Sequence, residues 1–116
     1  MADETLSIAT PGGRISYSRD ALAQIVAHTV NESYGVVGIA PSGPMSRLSR
    51  RDTRGVELGG DGTGLRIDVY VVVEYGLNLA EVAATVRSRV AYEVERLTGL
   101  KVAAVEVHIQ DVRRSA

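Results

Sequence analysis

Eleven consecutive residues, LRIDVYVVVEY from Leu65 to Tyr75, alternate with period two. Leu65, Ile67, Val69, Val71, Val73 and Tyr75 share one parity; Arg66, Asp68, Tyr70, Val72 and Glu74 share the other. The residues are largely β-branched or aromatic, so the segment reads as a long strand with one apolar and one mixed face. Such a strand buries its apolar side only under an amphipathic layer. The chain supplies two suitable helices, one before the strand and one after it.

The first is expected from about Arg19 to Tyr34. Ser18 is placed to cap it, and Asp20 puts an anion in the first turn, where the helix dipole favours one. Leu22, Ile25, Val26, Thr29, Val30 and Ser33 form one stripe at helical spacing, and Gly35 offers a left-handed stop. The second helix opens on Asn78 with Glu81 three residues later, a variant of the capping box, and runs to about Thr98 before Gly99. Its expected stripe is Leu79, Val82, Ala83, Val86, Val90, Val94 and Leu97.

The remaining strands are shorter. Arg14–Tyr17 follows the turn Pro11-Gly12-Gly13, and residues 36–40 continue the first helix in extended form. Val56–Leu58 and the glycine-rich turn GGDGTG (59–64) form a hairpin with the central strand. Ala103–Val112 closes the fold with Val105, Val107 and Ile109 inward and Glu106, His108 and Gln110 outward. The reading is a single α+β domain of order β-α-β-β-α-β over residues 13–112, a mostly antiparallel sheet with both helices packed on one face. Residues 1–12 are expected to be a flexible tail, with an extended piece at Leu6–Ala9, and residues 113–116 a second tail. The segment 41–55, PSGPMSRLSRRDTRG, is a basic irregular loop: Arg47, Arg50, Arg51 and Arg54 stand against the single acid Asp52.

Composition narrows the function classes. A net charge of −1 gives no general attraction to nucleic acid or anionic membrane, and the absence of cysteine removes disulfides, thiolate metal sites and thiol nucleophiles. The opening residues MADETLSIATPGG lack a basic n-region and an apolar h-region, so no signal peptide is expected. No apolar run reaches the ~18 residues of a membrane span. The expectation is a cytoplasmic protein that reaches a membrane only through a partner, without direct insertion.

No catalytic constellation is visible. His28 and His108 lack a nearby acid at a spacing that predicts a triad or a metal pair, and both read as surface or structural histidines. GGDGTG is followed by a strand instead of a helix and has no Lys-Ser/Thr, so it is a turn and not a phosphate loop. Asp68, Glu74 and Glu93 read as solvated charge or local ion pairs. No G-x-S-x-G occurs. No catalytic, metal or cofactor residues are assigned.

Binding is left. The mixed sheet face, with Tyr70, Val72, Ala104, His108 and Val112 among charges, is half apolar and suits docking to a second copy or another protein. A weaker surface follows the outer side of the second helix through Thr85, Arg89, Tyr92 and Arg96. The partner-binding candidates are therefore Tyr70, Val72, His108, Tyr92 and Arg96. The anion-binding candidates are Arg47, Arg50, Arg51 and Arg54, which could grip phosphate or an acidic partner. The chain has no Phe or Trp, and only Tyr70 is an aromatic on the outward sheet parity, which argues against stacking on nucleic-acid bases.

Two segments carry a family resemblance. GRISYSRDALAQIVAHTVNESYGVVGIAP (13–41) resembles the opening of the alkaline shock protein family, also called the Gls-type general stress family. There a short G-x-I strand, a serine, a helix rich in Ile and Ala and a G-V-x-G-I step follow one another. VYVVVEYGLNLAEVAATVRSRVAYEVERLTGLKVAAVEVHIQDV (69–112) is similar to its closing unit. That unit has a valine-rich strand, then N-x-x-E-V-A into a helix, then T-G-x-x-V-x-x-V-x-V-x-V. The resemblance implies a small bacterial α+β protein without catalytic residues, tied to the envelope stress response. On that resemblance it is expected to act as an interaction or scaffold protein, as some members do through a small membrane-anchored partner. It also implies an alternative, since a shorter branch is associated with a dihydroxyacetone-kinase-like fatty-acid kinase: an accessory or regulatory subunit of that enzyme. The lack of long charged tails places this chain nearer the short branch. The arginine loop matches no family motif.

Overall fold

The computed structural model describes residues 5–40, 55–61 and 64–114. In chain order the elements are β1 (Thr5–Thr10), β2 (Gly13–Ser18), α1 (Arg19–Asn31), β3 (Val36–Ile39), β4 (Val56–Asp61), β5 (Gly64–Glu74), α2 (Leu79–Thr98) and β6 (Val102–Arg113). The class is α+β, as the sequence implies. The four arginines of the 41–55 loop lie outside the described residues.

β5 is the hub. β4 pairs antiparallel with it along residues 64–69, and β3 pairs antiparallel along residues 71–73. β6 runs parallel to β5 over nearly its whole length. A parallel neighbour cannot be reached by a tight turn, so the 20-residue α2 provides the crossover. Leu65, Ile67, Val69, Val71 and Val73 are all buried, and they meet Leu22, Val26 and Val30 of α1 and Val82, Val86, Val90 and Val94 of α2 in one core. The period-two strand is thus matched to two period-3.6 stripes.

Both helix starts are capped as expected. The Ser18 side chain accepts from the Ala21 N–H, and the Asn78 side chain accepts from the Glu81 N–H. Replacing either cap by alanine is expected to cost about 1 kcal/mol, read as a lower urea midpoint at unchanged slope. Thr29 and Ser33 are tolerated in an apolar stripe because each hydroxyl donates to a carbonyl one turn back, Ile25 and Thr29 respectively. Thr98 does the same with the Val94 carbonyl and also accepts from the Leu100 N–H, closing the end of α2 at Gly99.

Four expectations need correction. Residues 5–10 are not a tail: β1 forms an antiparallel hairpin with β2 across Pro11-Gly12, placing Leu6 and Ile8 against the core. The same period-two signal that marks β5 is present there in miniature. α1 ends at Asn31 and not at Tyr34. The Glu32 N–H reaches both the His28 and Thr29 carbonyls and Ser33 N–H reaches Val30, so the last turn tightens before Gly35. Leu79 and Leu97, assigned to the buried stripe of α2, are exposed; the buried line is Val82, Val86, Val90, Val94 and Thr98. Finally, β6 is bulged. Val71 pairs with Ile109 but Val72 pairs with Asp111, so Gln110 is the extra residue and Val112 shifts to the side of Val73. Val112 therefore does not belong to the mixed face.

Candidate functional site

Because both helices cover one side of the sheet, the other side carries no layer among the described residues. Register decides what stands there. Glu57 of β4 lies opposite Asp68, which lies opposite Glu106 of β6; Tyr70 lies opposite His108, and Arg66 opposite Ala104. Three carboxylates consequently cross the sheet in a row, Glu57, Asp68 and Glu106.

The side chains converge on His108. Its ring stacks on Tyr70 with centroids 4.4 Å apart and planes 11° from parallel. Nε2 of His108 lies 2.9 Å from Asp68 Oδ1 and 3.9 Å from Glu106 Oε1. Arg66 reaches Glu106 at 3.9 Å, a loose contact between two exposed groups. The Tyr70 hydroxyl donates to Glu57 Oε1 over 3.4 Å. Its pKa is pushed above the ordinary phenol value, by burial first and then by the negative charges of Glu57 and Asp68, which keeps it a donor. Tyr70 is held in line by its own backbone, whose N–H donates to the Gly55 carbonyl and whose carbonyl accepts from the Ala40 N–H.

Of the residues singled out from sequence, Tyr70 and His108 are brought into contact. Val72 lies on the same face but is only 6% exposed, so it supports the face without presenting a surface. The face is accordingly more polar than its parity suggests. Tyr92 and Arg96 stand apart from this cluster, on the helical side of the molecule. Tyr92 is 63% exposed, and Arg96 pairs with Glu93 at 2.6 Å beside a shallow groove of about 610 Å³ between α1 and α2, which Ile25 and Leu97 also line. His28, at the rim of that groove, pairs with Glu32 at 3.3 Å, an i,i+4 partner that the sequence reading did not assign.

The sequence reading also missed the Asp68–Glu106–His108 group. All three sit on outward parities, but 38 to 40 residues separate Asp68 from the two on β6, and only the parallel register unites them. The outward parity of each residue is legible in the sequence, but no local signal sets the register that pairs Tyr70 with His108.

A family profile described as having a cell envelope-related function matches residues 7–114. The chain belongs to the alkaline shock protein 23 family. The resemblance carried by residues 13–41 and 69–112 is thereby borne out. Two relatives match over almost their whole length. The uncharacterized protein YloU of Bacillus subtilis (strain 168) is 30% identical over 94% of this chain and 96% of its own. The uncharacterized protein Spy1614 of Streptococcus pyogenes serotype M6 is 31% identical over 94% and 95%. Among solved structures, a MamM variant superposes with a TM-score of 0.58 at 13% identity, covering 84% of this chain and 88% of that one. At that identity the likeness is one of fold. No helix among the described residues is long and apolar enough to cross a membrane.

Proposed function

We propose that this protein is a non-enzymatic interaction protein of the cell envelope, and that the sheet face around Tyr70 and His108, which no described element covers, is its contact surface. The observation that carries the reading is the one-sided layering of the domain: α1 and α2 bury one side of β5, while the other presents a stacked aromatic pair on rigid strands. Aromatic anchors fixed by backbone hydrogen bonds lose little entropy on docking, which is what a binding hot spot needs. Among the described residues, Glu57, Asp68 and Glu106 outnumber Arg66 beside the stack, so a basic partner surface would complement it. A membrane-anchored partner would bring the protein to the envelope, in keeping with the family's envelope-related description. A second copy of the chain is the other occupant such a face could take.

The test is capture from gently solubilised membranes with three forms of the tagged protein: wild type, Tyr70→Ala/His108→Ala, and Tyr92→Ala. The expected result is that the sheet-face double variant, still folded by circular dichroism, loses stoichiometric partners that wild type and Tyr92→Ala retain. Equal recovery by the double variant would remove the sheet face from consideration, and selective loss in Tyr92→Ala would move the surface to α2.

A further inference from the structure

We propose that Asp68, Glu106 and His108 form a binding site for one divalent transition cation of the Zn²⁺ or Mn²⁺ class, on the open face of the sheet. Each residue offers one ligand atom, and the three atoms lie within 4.8 Å of one another. Ligand atoms held at about 2.1 Å from one ion are about 3.0–3.4 Å apart, depending on whether the geometry is octahedral or tetrahedral. The 2.9 Å from Nε2 to Asp68 and the 3.9 Å from Nε2 to Glu106 lie on either side of that spacing, and side-chain rotation would bring the two carboxylates to it.

A hydrogen bond between His108 and Asp68 explains one carboxylate but not the second. Asp68 and Glu106 are direct cross-strand partners. Like charges placed directly opposite on neighbouring strands destabilise a sheet. Arg66 is a weak remedy, since it meets Glu106 only at 3.9 Å with both side chains more than half exposed. A dication held between Asp68 and Glu106 would turn this repulsion into coordination.

The remaining geometry fits. All three ligands stand on the longest ladder of the sheet, which limits their motion. The Tyr70 ring, stacked against His108, fixes the imidazole plane with Nε2 toward the carboxylates. One imidazole with two carboxylates suits Zn²⁺, Mn²⁺ or Fe²⁺ better than Mg²⁺ or Ca²⁺, which take oxygen ligands. Three protein ligands on a face that no described element covers leave further coordination positions for water or another group.

The experiment uses the full chain alone, so its outcome is separate from that of partner capture. Zn²⁺ and Mn²⁺ are titrated calorimetrically, and Mn²⁺ is added substoichiometrically to the ¹⁵N-labelled protein. The expected result is one cation per chain, with amide broadening centred on residues 68, 106 and 108. The near-isosteric variants Asp68→Asn and His108→Gln each weaken binding at least about tenfold, and His28→Gln leaves it unchanged. Absence of saturable binding, broadening centred on His28 and Glu32, or undiminished affinity in His108→Gln would each overturn the assignment.

Discussion

Replacing Gly55 by alanine is expected to remove about 2–5 kcal/mol of folding stability. Gly55 is buried in the turn immediately before β4 with φ +88°, a conformation that costs an L-residue with a side chain about 1–2 kcal/mol. A Cβ there would overlap the carbonyl oxygen of Ala40 and the Cγ2 of Ile39. The carbonyl is the harder obstacle, because it belongs to backbone that cannot rotate away. Ala40 N–H donates to the Tyr70 carbonyl at 2.7 Å, and Tyr70 N–H donates to the Gly55 carbonyl at 2.9 Å. Relieving the overlap therefore pulls on the hydrogen bonds that lock Tyr70 into the sheet. Overpacking of this kind costs about 1–3 kcal/mol more. Against the ~5–15 kcal/mol that holds a typical domain together, the loss is large. Gly59→Ala is the control: nothing lies within 4 Å of its added Cβ, and its stability should stay within about 0.5 kcal/mol of wild type. Urea unfolding of the two variants decides the matter, and equal midpoints would contradict the packing described around Gly55.

The same junction shows what a sequence can and cannot disclose here. The alternation at 65–75 and the caps at Ser18 and Asn78 are local signals, and the structure places β5, α1 and α2 on them with boundaries shifted by at most three residues. Outward parity was equally readable for Asp68, Tyr70, Glu106 and His108. Their assembly was not, because it depends on how far β6 slides along β5, and a slip of one residue turns every side chain to the opposite face. Two bulges complicate this further. Ala103 is the extra residue between the Leu65–Val102 and Arg66–Ala104 pairs, and Gln110 is the extra residue near the end. The second bulge alone moves Val112 off the face that strict alternation assigns to it. Burial also separates from parity at Val72, which faces away from the helices and is still almost inaccessible near the C-terminal end of β5, where β3 and β6 flank it.

Helix α2 supplies the second large effect, and it tests the one stripe that periodicity misassigned. Val90 is fully buried, in a line of valines at i, i+4 spacing with Val82, Val86 and Val94. Valine is a poor helix former, so Val90→Ala gains up to about 0.7 kcal/mol in propensity. It also loses about 1.6 kcal/mol of apolar transfer for two carbon groups, at about 0.8 kcal/mol each, before any cavity term. With the cavity added, packing outweighs propensity, and a net loss of about 1.5–2.5 kcal/mol is expected. Leu97 has a larger side chain and sits in the same apolar pattern by sequence, yet it is 53% exposed at the rim of the groove between the helices. Leu97→Ala should therefore change stability by no more than about 0.5 kcal/mol. The order of the two effects inverts what side-chain size alone would give. If thermal and urea unfolding found Leu97→Ala the more damaging, α2 would have to be rotated about its axis, and the valine line could not be the seam against β5 and β6.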